Sequence, residues 1–498
     1  MTHAPRKSDS SVVPMKPPNK AGTPAAEVME GRGLTKGNMA KQNTPRTQSR
    51  IRRVPNALDR VRQAARRDRK ARFTALMHHI TIDLLRWAFH ALRRNAAAGV
   101  DGVTWQQYAC TMEDNLQDLH ARLHRGAYRA KPVRRAYIPK ADGRPRSLGI
   151  ASLEDKIVQR AVVGVLNAIY EQEFLGFSYG FRPGRSQHHA LDALAVGIVR
   201  KKVNWVLDAD IRGYFDAIEP GWLVRFLEHR IGDRRLLRLI QKWLRAGVME
   251  DGAWKASEMG TPQGATVSPL LANIYLHYVF DLWAHQWRKR HARGDVIVIR
   301  YADDFVVGFQ HRRDAERFRR ELESRLGRFS LKLHPDKTRL IRFGRFAAKS
   351  RQERGVGKPE TFCFLGLRHI CGKTRRGRFL LIRRTMRSRL RAKLKHVKAE
   401  LMRRRHTPVP VQGRWVRSVV QGYANYHAVP TNIDAVDEFR TQVIRHWYRA
   451  LRRRSQRTRV TWSRMNRLAR RWVPSVRIQH PWPEQRFDAK TQGRSPVR

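Results

Sequence analysis

Acidic side chains are scarce in this chain. Its 498 residues carry 42 Asp and Glu against 102 Lys and Arg, a formal net charge of +60. Such an imbalance repels itself until a polyanion neutralises it, and nucleic acid is the first partner that fits. Cysteine is nearly absent: Cys110, Cys363 and Cys371 are the whole set, and no two sit at two-residue spacing. That argues against a structural zinc site and a disulfide framework, and fits a reducing, cytoplasmic compartment. No apolar run approaches the roughly 18 residues that a membrane span needs, so no membrane partner is expected. The first residues lack the continuous apolar stretch of a secretory signal. Hydrophobic residues still make up 41 % and aromatics 9 % of the chain, too much for a wholly disordered basic tail.

Composition shifts along the chain suggest four parts. Residues 1–55 are rich in Pro, Gly, Ser, Lys and Arg and read as a disordered basic extension. Residues 56–375 mix helical and strand patterns and read as an α+β region built on a mixed or antiparallel sheet. Within it, 133–150 suggests two short strands around a turn, and 153–170 a helix with Ile157, Ala161, Val165 and Ile169 at spacing four. Val203–Leu207 reads as a strand, 222–246 as helical and 269–290 as one long helix opened by Ser268-Pro269. The segment VIVIRYADDFVVGF at 296–309 reads as an apolar hairpin with a polar centre. Residues 376–475 are all helical by pattern: Met386, Leu390, Leu394, Val397 and Leu401 form one stripe, with further helices near 413–427 and 433–452. Residues 476–498 read as a basic tail. Between Glu438 and Glu484 no acidic residue occurs while 13 arginines do, a bias that favours phosphate binding.

The sharpest chemical signal is Tyr301-Ala302-Asp303-Asp304. Two adjacent carboxylates at the tip of an apolar hairpin cost energy unless a cation holds them. An ordinary tight turn would carry Asn-Gly or Asp-Gly instead. A second cluster, Asp208-Ala209-Asp210, closes the strand at 203–207, and Asp216 follows. Carboxylates from a strand end and a hairpin tip can converge into a hard-oxygen site suited to Mg²⁺. Paired metals of that kind serve phosphoryl transfer, in nucleases and polymerases alike. Lys140 and Arg146 flank the turn at 140–146, where two cations suit a triphosphate. Gly260–Gly264 is a small-residue loop that permits close backbone approach to a nucleotide. Phe215 lies five residues beyond Asp210, where its ring can meet a sugar.

In order along residues 78–450, the motifs resemble those of bacterial group II intron-encoded reverse transcriptases/maturases. They are AAAGVDGVTW (96–105), YIPKADGRPRSLGI (137–150), SYGFRPGRSQHHAL (178–191), WVLDADIRGYFDAI (205–218), GTPQGATVSPLLANIYLH (260–277), YADDFVVG (301–308), LKLHPDKTRLIRFG (331–344) and FLGLRH (364–369). The resemblance implies a right-hand polymerase with fingers and palm, followed by an all-α thumb or maturase domain carried by Arg414–His427. It implies that Asp210, Asp303 and Asp304 bind two Mg²⁺ ions, with Mn²⁺ as a possible substitute. Asp208 falls outside that triad and reads as a supporting residue.

By the same likeness, Lys140 and Arg146 bind the dNTP triphosphate, Phe215 is the gate against a 2′-OH, and Gln263 packs near the incoming nucleotide. Phe364, Leu365 and Gly366 match the primer grip. Lys337 is a candidate general acid, with a simple phosphate contact as the alternative. Arg182 and Arg185 are expected on the nucleic-acid backbone, as are Arg452, Arg453 and Arg454. Tyr423 and Tyr426 read as core, and the paired histidines His78-His79 and His188-His189 read as backbone or surface positions rather than metal ligands. The implied partners are group II intron RNA, a DNA target and primer, and dNTPs, with a homodimer as a possible assembly and nucleoid association when bound to DNA. No endonuclease domain is expected, since no cysteine pair follows the arginine-rich helices. The alternatives are a maturase without polymerase chemistry and a bacterial reverse transcriptase serving defence or another element.

Overall fold

The computed structural model describes residues 57–139, 145–250, 253–255, 264–456 and 459–491. The segment 1–55, Lys140 and Gln263 lie outside the described residues, as does the side chain of Arg146. No helix among the described residues is long and apolar enough to cross a membrane.

Helices α1 (Ala57–Arg67), α2 (Ile82–Ala91), α3 (Trp105–Cys110) and α4 (Met112–His124) lead to the hairpin β1 (Val133–Pro139) and β2 (Pro145–Ile150). Next comes α5 (Leu153–Tyr170), against which α1 and α2 pack. The Ser152 hydroxyl caps α5 by accepting from the Asp155 amide at 3.2 Å. Ile157, Ala161, Val165 and Ile169 are fully buried, so the spacing-of-four reading holds and the helix is central rather than superficial. Each fully buried aliphatic side chain of this kind contributes about 1.5–3 kcal/mol.

Helix α6 (Gln187–Arg200) precedes β3 (Trp205–Asp210). The strand begins and ends later than expected, and Asp208 and Asp210 lie on it rather than beyond it. Three helices follow: α7 (Tyr214–Ala217), α8 (Pro220–Glu228) and α9 (Arg234–Arg245). The region read as helical over 222–246 is thus two helices. Asp233 breaks it: its carboxylate caps α9 by accepting from the Arg235 amide and also accepts from the Leu76 and Met77 amides at 2.8 Å, tying α9 to the N-terminal region. Short strands β4 (Val248–Glu250) and β5 (Ala253–Lys255) complete a mixed sheet of order β2-β1-β4-β5, in which β4 runs parallel to β1.

The expected long helix over 269–290 is α10 (Ser268–Leu276) and α11 (Leu282–Arg290), joined by a π-helical turn at His277–Asp281. Such turns insert one residue and are frequent at functional sites. Here the turn ends on Asp281, whose carboxylate is bonded to Arg300 inside the protein. Strands β6 (Val296–Tyr301) and β7 (Asp304–Phe309) form the expected hairpin, followed by α12 (Arg312–Gly327), β8 (Arg339–Arg342) and α13 (Ala347–Gln352). The second sheet has order β6-β7-β3-β8 and is antiparallel throughout. Alternation along its strands sends Val298, Phe305, Val307 and Leu207 into one core and Ile299, Val306 and Val206 into another.

A three-stranded sheet, β9 (Phe362–Phe364), β10 (Leu367–Lys373) and β11 (Phe379–Thr385), leads into a helical bundle. The bundle consists of α14 (Arg387–Arg403), α15 (Val409–His427), α16 (Ile433–Arg452) and α17 (Trp462–Trp472) around Val397, Leu401, Val416, Val420, Phe439, Val443 and Trp447. Tyr423 and Tyr426 are core residues as expected. The segment expected to be a basic tail contains a helix, α18 (Pro483–Thr491), packed on α6. Phe487 buries its ring there, and Arg486 pairs with Asp192, a carboxylate that Arg383 of β11 also holds. One apolar anchor and one buried ion pair dock this helix despite the polar composition of the segment.

Candidate active site

The β3–β7 register sets Asp210 directly opposite Asp304, and the β6–β7 register sets Tyr301 opposite Asp304. Directly opposed residues stand about 4.5–5.5 Å apart at Cα with side chains on one face. Asp303 occupies the two-residue turn between the strands. Asp210 and Asp304 are each 1 % exposed and Asp303 is 5 % exposed. Like charges opposed in this way are destabilising, so the arrangement calls for cations.

Lys337 supplies one cation. Its Nζ lies 3.0 Å from Asp210 Oδ2. The loop that carries it is fixed to the end of β3: the His334 amide donates to the Asp210 carbonyl at 2.8 Å and the Arg212 amide to that of Lys332 at 2.9 Å. Burial and the nearby Lys337 ammonium hold the His334 imidazole below its ordinary range. The other carboxylate oxygen, Asp210 Oδ1, is buried and takes no hydrogen bond among the described residues. A buried anionic oxygen in that state suits a hard divalent cation. No three His, Cys, Asp or Glu side chains among the described residues form a ready-made metal cage. An open carboxylate set of this kind fits Mg²⁺, which keeps waters and substrate phosphates among its ligands. Asp208 shares the Asp210 face of β3, one pair further in, and stands opposite Arg339 of β8.

The turn itself is unusual. Ala302 has φ +56°, a left-handed conformation that costs a residue with a Cβ about 1–2 kcal/mol. Behind it, Arg300 is fully buried. The Nε and Nη2 of Arg300 donate to the Asp281 carboxylate at 2.7 and 2.6 Å, and Nη2 also donates to the Ser178 hydroxyl at 2.7 Å. Its Nη1 donates to Asn273 Oδ1 and to the Ala302 carbonyl, both at 3.0 Å. Gly180 lies against the same turn: a Cβ there would come within 2.3 Å of the Ala302 nitrogen. Motif reasoning misses Arg300, although a lone charge inside VIVIRY is a legible signal that a partner is buried with it.

Phe215 sits in α7, just after Gly213, and is only 6 % exposed, its ring mostly within the core. Asp216 is exposed on the same turn. Phe364 ends β9 and Leu367 begins β10, so Leu365 and Gly366 form the turn between them, both at positive φ. The Tyr426 hydroxyl of α15 donates to the Leu365 carbonyl at 2.6 Å, fixing that turn to the helical bundle.

Of the arginines expected on nucleic acid, Arg182 is buried and taken up by the fold, while Arg185 and Arg454 are partly buried and also bond to it. Arg182 is 3 % exposed, paired with Glu171 at 2.9 Å and donating to the carbonyls of Leu175 and Ser178. Burial of so large a cation requires this full set of acceptors. Arg185 is half-buried, donates to the Gly176 carbonyl and lies over the Tyr179 ring. Arg454 donates to the carbonyls of Arg405 and Thr407, closing the α14–α15 connection. Arg452 and Arg453 are exposed, together with Arg445, Arg449, Arg459, Arg464, Arg467, Arg470, Arg471 and Arg477. The acid-free stretch therefore does present a solvent-facing cationic surface. The histidines divide as well. His78 is exposed, whereas His188, in the first turn of α6, faces the bundle with its Nε2 2.9 Å from the Tyr426 carbonyl and stacks on His480 with ring centres 3.9 Å apart.

The family described as reverse transcriptase (RNA-dependent DNA polymerase) matches residues 138–369, a span that contains Asp210, Asp303, Asp304 and Lys337. The chain is 35 % identical over 273 residues to Protein YkfC of Escherichia coli (strain K12), covering 49 % of this chain and 71 % of that protein. It is also 35 % identical over 222 residues to the group II intron-encoded protein LtrA of Lactococcus lactis subsp. cremoris, covering 44 % of this chain and 37 % of that one. A putative COX1/OXI3 intron 1 protein of Saccharomyces cerevisiae is 24 % identical over 425 residues, 72 % of this chain and half of the relative. The chain thus spans half or less of the intron-encoded relatives named here. With carboxylates opposed across a buried antiparallel pair, a YADD turn and these similarities, the chain belongs to the reverse transcriptase family, and proteins encoded in group II introns are among its homologues.

Proposed function

We propose that the chain is an RNA-directed DNA polymerase that also binds a group II intron RNA and assists its splicing and mobility. The observation that carries the polymerase reading is the register that opposes Asp210 and Asp304 beside Asp303. In this reading the central antiparallel sheet is the palm, the region before it the fingers, and the bundle α14–α17 the thumb. Asp210, Asp303 and Asp304 would hold Mg²⁺, which when bound would supply charge stabilisation for nucleotidyl transfer. The primer 3′-hydroxyl attacks the α-phosphorus of a dNTP, and pyrophosphate leaves. Lys337 keeps a positive charge beside Asp210 and stands as the donor for the departing phosphate oxygen or as a contact to it. Lys140, Arg146 and Gln263 bind the incoming nucleotide, and Phe215 sets its sugar preference. The turn Phe364–Gly366 grips the primer.

The exposed arginines of α16 and α17 supply the salt-sensitive binding of intron RNA. The named intron-encoded relatives support this second role. The decisive experiment is primer extension on an RNA template with purified wild-type and Asp303→Asn protein. Extension by the wild type alone, with equal RNA affinity in both, is the expected result. Extension by a folded Asp303→Asn protein at the wild-type rate would remove the carboxylate site from catalysis.

A further inference from the structure

We propose that Arg300 is a positioning residue for the metal-binding carboxylates, acting from the back of the sheet through the backbone of the catalytic turn. The inference rests on the polymerase reading for its consequence and on geometry for its substance. Side chains alternate along β6, so Arg300 points away from the face that carries Asp304 and Asp210. It nevertheless reaches the turn, because Nη1 donates to the Ala302 carbonyl at 3.0 Å.

All five N–H donors of the guanidinium are used, on Asp281, Asn273, Ser178 and Ala302. A rigid planar fork with five acceptors fixes the position of each acceptor relative to the others. Four of those five bonds anchor the guanidinium to elements outside the hairpin, and the fifth transmits that anchor to the turn. Asn273 continues the support by donating Nδ2–H to the Gly180 carbonyl at 2.7 Å, and Gly180 is the residue whose backbone abuts Ala302. The segment around Ser178 is itself attached to β6: the Arg300 amide donates to the Phe177 carbonyl, and the Tyr179 amide to the Arg300 carbonyl, each at 2.9 Å.

A left-handed alanine persists only where its surroundings over-determine it. The Arg300 fork and the Gly180 backbone are those surroundings. They hold Ala302 at φ +56°, and that conformation sets where Asp303 and Asp304 present their oxygens. The π-helical turn ending on Asp281 and the apolar strand with one arginine belong to the same device.

The test uses the full chain and three variants. Arg300→Lys keeps the charge beside Asp281 but offers three donors without the fork. Arg300→Met with Asp281→Leu removes the buried pair as a unit, a replacement that is often neutral for stability. Arg300→Lys with Ala302→Gly restores a residue that adopts φ > 0 without help. Mn²⁺ affinity of the free protein is read by electron paramagnetic resonance, alongside urea unfolding, RNA affinity and the Mg²⁺ midpoint of primer extension.

The expected result for Arg300→Lys is Mn²⁺ binding weakened by about 10-fold or more, as for other supporting residues of metal ligands. The Mg²⁺ midpoint should rise in parallel with RNA affinity unchanged, while the urea midpoint falls modestly because Lys leaves buried acceptors unpaired but the transition stays cooperative. Adding Ala302→Gly should recover most of the loss, which a merely structural role would not do. The Met/Leu variant should match Arg300→Lys if it folds; if it does not, the lysine pair of variants still decides. Wild-type Mn²⁺ affinity and Mg²⁺ midpoint in a folded Arg300→Lys protein would overturn the inference, as would failure of Ala302→Gly to recover the loss. A wild type that binds Mn²⁺ but extends no primer would instead sink the polymerase reading and leave the positioning result standing.

Discussion

Acid should loosen the seam between α6, the helical bundle and the C-terminal helix, and His480 shows why. Arg486 Nη1 donates to its Nδ1 at 2.9 Å, so that nitrogen is an acceptor and the ring is neutral, with the Nε2 proton given to the Asn425 carbonyl at 2.8 Å. Protonating Nδ1 would set two donors against each other. Burial is the largest influence, the nearby Arg486 and Arg383 cations add to it, and the pKa falls to about 4. His427, in the same region, is buried and falls to about 3, chiefly by burial, with Arg389 and Lys393 adding to it. For a histidine whose folded pKa is depressed, the unfolded chain binds more protons. The neutral-pH stability is therefore lost as pH falls below about 6.5 and levels off near the folded pKa. At pH 5 each histidine costs about 2 kcal/mol relative to neutral pH, from roughly 1.4 kcal/mol per pKa unit.

His480→Gln retains a donor for Asn425 and an acceptor for Arg486 without the proton uptake. Urea unfolding at pH 7.5 and pH 5 should show the variant losing about 2 kcal/mol less than wild type between the two pH values. Titrating groups away from this ring are common to both proteins and cancel in that difference, while His188, stacked on His480, is part of the same coupled effect. Equal losses in wild type and variant would refute the account, because the acid sensitivity would then lie elsewhere.

Phe215→Val should raise ribonucleotide incorporation relative to deoxyribonucleotide in single-nucleotide extension, and an unchanged ratio would remove that ring from sugar selection. Arg452→Glu with Arg453→Glu should reduce the salt dependence of RNA binding by about two units of slope, near 0.7–0.9 for each phosphate no longer neutralised; an unchanged slope would place the RNA-binding surface elsewhere. Arg454 is left out of that pair because its bonds to Arg405 and Thr407 brace the bundle. Gly180→Ala should cost about 1–3 kcal/mol of stability, the usual range for overpacking. It should also depress primer extension, since the new Cβ meets the Ala302 nitrogen at 2.3 Å; full activity would show that the turn tolerates displacement.

Much of the frame is readable from local pattern. The spacing of Ile157, Ala161, Val165 and Ile169 and the apolar runs around YADD are signals carried by neighbours in sequence, and they identify α5 and the hairpin. The carboxylates of β3 and the hairpin are likewise predictable as a converging set, since strand ends can meet in one sheet. Features decided by distant partners cannot be read locally. Arg182 looks like a surface cation until Glu171 and two carbonyls close around it. The helical region over 222–246 breaks because Asp233 is claimed by amides 156 and 157 residues away. Arg300 and Asp281 each look anomalous alone and are explained only by each other. The C-terminal helix has little apolar pattern, and its docking depends on Phe487 and on a carboxylate in α6.

That last partnership has a consequence for the order in which the protein is made. Asp192 lies 294 residues before Arg486 along the chain. At about 5–20 residues per second, translation places some 15–60 s between the appearance of the buried carboxylate and that of its final counter-ion. During that interval Arg383 can arrive and pair with Asp192, but the surface of α6 that α18 covers stays open to water. A nascent chain stalled short of residue 486 therefore keeps its central sheet and most of the bundle but lacks the helix that closes over α6. Such chains should be more readily cut by protease in α6 than chains that extend past α18, so the docking of α18 is a late packing step for the helix that backs the carboxylate sheet.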